Sequence, residues 1–145
     1  MSTIKVDTYL TRGGASEIAI DKLKGASSAS SISVVGEGGT TTTNLQQGLA
    51  KAWVNFNGTS TLATRDSYNI SSVTDNSTGT YTPNFTSDMT NASYTVTLVC
   101  GDDMHNTTLH NTLVQTGSYR IHNKNDSNAF ADSSVMMTNV HGDLA

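Results

Sequence analysis

Lys51–Phe85 reads KAWVNFNGTSTLATRDSYNISSVTDNSTGTYTPNF, and the fold class is legible in it. Ala52, Val54 and Phe56 alternate with Trp53 and Asn55, the two-residue period of a pleated strand. Asn57-Gly58 breaks the run with a dipeptide that tolerates the positive φ of a tight turn. Tyr68 and Ile70 resume the alternation, Asp75–Gly79 supplies the next turn, and Tyr81, Pro83 and Phe85 share one face of a third strand. Proline donates nothing to a ladder. The strand holding Pro83 is therefore expected at a sheet edge, or with the side lacking the N–H turned outward.

Outward from this block the pattern stays β. Tyr94, Val96, Leu98 and Cys100 alternate with Thr95, Thr97 and Val99, the clearest strand of the chain. Leu109–Val114, Ser118–Asn123 and Val135–Val140 are further candidates. Short strands at this spacing predict an all-β protein, an antiparallel β-sandwich or jelly-roll-like domain. On the N-terminal side, Ile4, Val6, Thr8 and Leu10 share one face of a first strand, and Ile18 and Ile20 suggest a second. Residues 26–44 are rich in Ser, Thr and Gly, the composition of a linker or extended arm that holds at most a short strand. Asn44–Ala52 is the one plausible helix, capped by Asn44 with Leu45, Leu49 and Ala52 on one face. The predicted layout is an N-terminal arm over residues 1–50 and a β-domain over residues 51–145.

Composition narrows the function. Ser, Thr and Asn number 18, 23 and 13 of 145 residues, whereas charged residues are only 14 %. Disorder ordinarily needs higher net charge and fewer β-branched residues. Three Phe, one Trp and five Tyr make a thin core for this length, which favours burial between identical chains. The net charge is −4 and the eight basic residues are scattered, so no nucleic-acid footprint is expected. A single cysteine, Cys100, excludes an intrachain disulfide. No apolar run is long enough for a signal peptide or a bilayer span, so synthesis in a cytoplasm without membrane insertion is expected.

The same block carries a resemblance. K-A-W-V-N-F-N-G-T, then R-D-S, N-I-S-S-V-T-D-N, T-G-x-Y-T and N-F closely resemble a module of tail-fibre-like or virion structural proteins in tailed phages of marine bacteria. The opening Met1–Thr8 is similar to the start of such proteins. Two departures stand out. Asn76-Ser77 replaces the usual Asn-Gly, and Pro83 replaces a β-branched residue. The resemblance implies a non-enzymatic, surface-exposed virion component, made in the host cytoplasm and assembled as a homotrimer with other virion proteins. A fibre-like protein involved in host attachment is the leading expectation, and a capsid decoration (cement) protein is its alternative. Ile4, Val6, Thr8 and Leu10 are the expected partner or subunit interface, because an arm with a strand pattern can extend a partner's sheet.

The residues offer few candidates for chemistry. Asp102, Asp103, His105 and His110 bring carboxylates and imidazoles together after a strand, yet their spacing fits no established metal motif. An exposed acidic turn is the better reading, and no cofactor is expected. Cys100 shares a face with Tyr94, Val96 and Leu98, so it reads as a small buried hydrophobe and not as a nucleophile. No G-x-S-x-G, P-loop or H-E-x-x-H is present, and no enzymatic activity is expected. Arg65 and Asp66 are expected to pin a loop as an ion pair or to contact a neighbouring subunit. Trp53, Tyr68, Tyr81 and Phe85 are assigned to the core, with glycan contact as the second use of their rings. That second use defines an alternative class, a carbohydrate-binding module for bacterial surface glycan.

Overall fold

The computed structural model describes residues 22–24, 32–102 and 106–145. The face formed by Ile4, Val6, Thr8 and Leu10 lies outside the described residues, as do Asp103 and His105. The described part opens with a small hairpin of β1 (Ser33–Val35) and β2 (Thr42–Asn44), paired antiparallel and exposed. One helical turn, α1 (Leu45–Gly48), follows. Asn44 caps it, its Oδ1 accepting from the Gln47 N–H at 3.1 Å. The helix expected to reach Ala52 stops four residues short. Leu49 is already extended (φ −90°, ψ 140°), and the Lys51 N–H donates to the Val140 carbonyl. A one-turn helix containing Gly48 does not compete with a sheet ladder for these residues.

Two four-stranded antiparallel sheets make up the rest. The first contains β3 (Ala52–Asn57), β4 (Ala63–Tyr68), β7 (Thr95–Cys100) and β10 (Met136–His141), in the order β4-β3-β10-β7. The second contains β5 (Ile70–Ser77), β6 (Thr80–Phe85), β8 (Asn106–Val114) and β9 (Tyr119–Lys124), in the order β5-β6-β9-β8. The sheets pack as a sandwich, and the all-β class read from the alternating pattern is what the protein adopts. The hairpins β3–β4, β5–β6 and β8–β9 each stay within one sheet.

Strand parity builds the core. Ala52, Val54 and Phe56 point inward from the first sheet, joined by Met136 and Val140. Tyr81, Phe85, Tyr119 and Ile121 point inward from the second. Aromatic edges lock the layers together, with Phe56 and Tyr81 ring centroids 5.2 Å apart at 71° and Phe85 and Tyr94 5.6 Å apart at 78°. The buried hydroxyls have partners. Tyr119 Oη meets Thr138 Oγ1, and Tyr94 Oη donates toward the Gln115 and Ser118 carbonyls. Cys100 packs against this core but is half-buried where burial was expected, and its thiol lies 3.1 Å from Ser133 Oγ.

Three local expectations are corrected. The segment read as one strand around Tyr68 and Ile70 is two strands in different sheets, joined through Asn69 alone at φ +54°. Asn69 tolerates that conformation and reinforces it. Its Nδ2 donates to the Lys51 and Ser87 carbonyls, and its Oδ1 accepts from the Ser87 N–H. Asn57-Gly58 is not the positive-φ pair of a two-residue turn; positive φ falls on Ser60. Gly58 is needed for space, since a Cβ there would sit 2.4 Å from Tyr81 Oη. Of the two placements expected for Pro83 the edge is excluded, because it lies buried in an interior strand. The β6–β9 ladder accommodates it by breaking. Register pairs occur at Thr80 and Tyr81 and resume only in the bridge Asn84–Ser118.

Candidate functional site

The outer face of the first sheet gathers the side chains that sequence reasoning divided between core and ligand. Because Ala52, Val54 and Phe56 point inward, Trp53 and Asn55 point outward. Register then aligns Tyr68, Trp53, Asn139 and Thr97 in one row across β4, β3, β10 and β7. The next row is Asp66, Asn55, Met137 and Val99. Trp53 is half-buried, whereas Tyr68 is 52 % exposed, Val99 47 % and Met137 36 %. The core assignment thus fails for Trp53 and Tyr68 and holds for Tyr81 and Phe85, which are buried. Burial removes Tyr81 and Phe85 as ligand contacts. Asn139 lies in the aromatic row with its Oδ1 buried and without a partner among the described residues.

Arg65 and Asp66 make no ion pair with each other among the described residues. Arg65 Nη2 donates to the Ser134 carbonyl at 2.6 Å and Nη1 to Asn55 Oδ1 at 3.2 Å. Asp66 Oδ1 accepts from the Ser67 N–H beside it. Arg65 is the extra residue where the β3–β4 register shifts between Asn55 and Phe56, and its guanidinium is taken up by Asn55 and Ser134. A loop is still pinned, but by Arg65 through neutral acceptors, and the loop is the 125–135 connection. Asp132 in that connection accepts from Tyr81 Oη and from the Gly79 N–H, both at 2.7 Å. Burial first, and then the Asp132 carboxylate, push the Tyr81 phenol far above its usual range.

Of the four metal candidates, Asp103 and His105 lie outside the described residues, and Asp102 and His110 have other partners. Asp102 Oδ2 accepts from the Ser134 N–H at 3.3 Å. His110 pairs instead with His122, edge to face with ring centroids 4.9 Å apart, and His122 packs in turn against Phe130 at 5.0 Å. Lys124 stands over the Phe130 ring at 5.1 Å. The bulged β8–β9 register that brings the two imidazoles together has no signature in sequence spacing. Burial lowers the His122 pKa, assisted by the positive charge available on His110, Lys124 and Arg120. Among the described residues no group of three or more His, Cys, Asp or Glu side chains is placed to hold a metal ion.

No family model, no curated protein and no solved structure matches this chain.

Proposed function

We propose that the chain is a structural component of a tailed-phage virion, a surface-exposed, homotrimeric, fibre-like protein with a role in host attachment. The observation that carries this reading is the patch formed by Val99, Met137 and Trp53 on the outer face of the first sheet. Val99 and Met137 are direct cross-strand partners, and Asn55, two residues from Trp53, is the partner of Met137 on the other side. Apolar neighbours on the outer face of an antiparallel sheet are natural surface for a second copy. The resemblance of Lys51–Phe85 to virion structural proteins supplies the context. A decoration protein on the head uses the same surface and is the alternative within this class. A carbohydrate-binding module is the second reading, favoured by the outward Trp53 and Tyr68.

The test is to image particles of the phage that encodes the chain, using gold-labelled antibody. Label on the tail is the expected result, and label on the head selects the decoration role. Unlabelled particles, checked with antibody that detects the free chain, would contradict the virion reading.

A further inference from the structure

Beside the outward aromatic row lies a pocket of about 490 Å³, within the ~300–1,000 Å³ range of small-molecule sites. It opens where the chain enters β3. Leu49 and Leu144 contribute apolar surface, Tyr68 an aromatic ring, and Lys51, Thr90 and Asp143 the polar groups. We infer that this pocket binds one or two rings of a neutral saccharide, with Tyr68 as the stacking surface and Lys51, Thr90 and Asp143 as hydroxyl partners.

Lys51 is the least ordinary of these groups. It is only 7 % exposed, and its ammonium donates to the Leu49 carbonyl at 2.8 Å and to the Gln46 carbonyl. An ammonium has three donors, and a buried charge is normally paired. Among the described residues no carboxylate pairs with Lys51, and its third N–H has no acceptor. Asp143 lines the same pocket. Its Oδ1 accepts from the Gln47 side chain, and its Oδ2 has no partner among the described residues. Thr90 Oγ1 donates to the Leu144 carbonyl at 2.8 Å and retains acceptor capacity. One cation and one anion in a single pocket balance, and an uncharged ligand whose hydroxyls donate and accept satisfies both. An aromatic ring facing such groups supplies apolar contact for the C–H face of a sugar.

This ligand class deepens the attachment reading and rests on it for biological meaning. The binding test uses the free chain, so its result is independent of what the particles show. Methyl glucoside, methyl galactoside and methyl mannoside would each be titrated into ¹⁵N-labelled full-length protein. Concentrations on the order of 100 mM suit small ligands of low affinity. At least one is expected to give saturable shifts at the amides of Lys51, Tyr68, Thr90 and Asp143. Tyr68 is exposed, so Tyr68→Ala is expected to keep a folded spectrum and to weaken binding about tenfold, the factor corresponding to 1.4 kcal/mol. Asp143→Asn, which keeps the size and the acceptor to Gln47, is expected to weaken it also. Absence of saturable shifts at these amides with all three sugars, or unchanged affinity in folded Tyr68→Ala, would overturn the inference.

Discussion

Glycine shows at single-residue scale how closely the two layers approach. A Cβ at Gly58 would meet Tyr81 Oη at 2.4 Å and the Ser133 carbonyl at 3.2 Å. At Gly79, φ is +62° and a Cβ would lie 2.4 Å from the Asn123 carbonyl and 2.7 Å from the Ala131 nitrogen. Both contacts clamp the 125–135 connection against the sandwich, and Gly79 also presents its N–H to Asp132. Gly58→Ala is therefore expected to destabilise the fold by about 1–3 kcal/mol, the usual cost of overpacking. Gly79→Ala adds left-handed strain of about 1–2 kcal/mol to a clash with rigid backbone and is expected to cost more. Gly38, with nothing within 4 Å of its added Cβ, is the control and should stay near neutral. Urea unfolding of the three variants checks the order, and equal midpoints for Gly58→Ala and Gly38→Ala would refute the close approach. Asp132→Ala leaves the Tyr81 hydroxyl and the Gly79 N–H without their shared acceptor. The expected loss is about 1.5–3 kcal/mol, the range for hydrogen bonds to a charged group; a variant as stable as the parent would contradict that role.

Elements show what the alternating pattern carries and where it stops. Parity along Ala52–Asn57 is written in the sequence, and it already directs Trp53 away from Val54 and Phe56. The core assignment fails for Trp53 because parity along the strand sets the face its side chain takes. The corner at Asn69 was not legible, because one residue that moves a strand between sheets leaves the local alternation intact. Asn69→Gly should keep the left-handed backbone and lose only the side-chain hydrogen bonds, whereas Asn69→Ala loses both. Alanine is expected to be the less stable by about 1 kcal/mol or more, and thermal melts of the pair read the difference. The break in the β6–β9 ladder at Pro83 was equally hidden, since proline announces a missing donor without saying which neighbour does without it. His122 gives the second sheet a pH dependence. Its folded pKa lies below the unfolded value of about 6.5, so the unfolded chain binds the proton more readily. Its contribution is complete above that unfolded value and is lost as pH falls toward and through the lowered folded one. Between pH 7 and pH 5 the parent should lose more thermal stability than His122→Gln, and parallel losses would exclude His122 as the source.

For the whole molecule, the thin core predicted from three Phe, one Trp and five Tyr becomes a sandwich whose buried aromatics among the described residues are Phe56, Tyr81, Phe85, Tyr94 and Tyr119. Aromatic burial is concentrated between β3 and β10 on one side and β6 and β9 on the other. The β-class and most strand positions were legible because polar and apolar residues alternate. The sheet order and the Lys51–Asp143 pocket were not, because each depends on contacts between segments far apart in sequence, and the His110–His122 pair was not, because it depends on the register of the β8–β9 hairpin. The proposed assembly requires the Val99–Met137–Trp53 patch to be covered by another copy. A charge placed in it, Val99→Asp, should oppose that contact while facing solvent in the single chain. The decisive measurement is the solution mass of the full chain by light scattering on a sizing column, with Val99→Asp beside it. The account predicts about 46 kDa, three times the 15.3 kDa of one chain, with a shift toward 15.3 kDa in Val99→Asp. A parent mass of 15.3 kDa at all concentrations tested, or a trimer that Val99→Asp leaves intact, would contradict it.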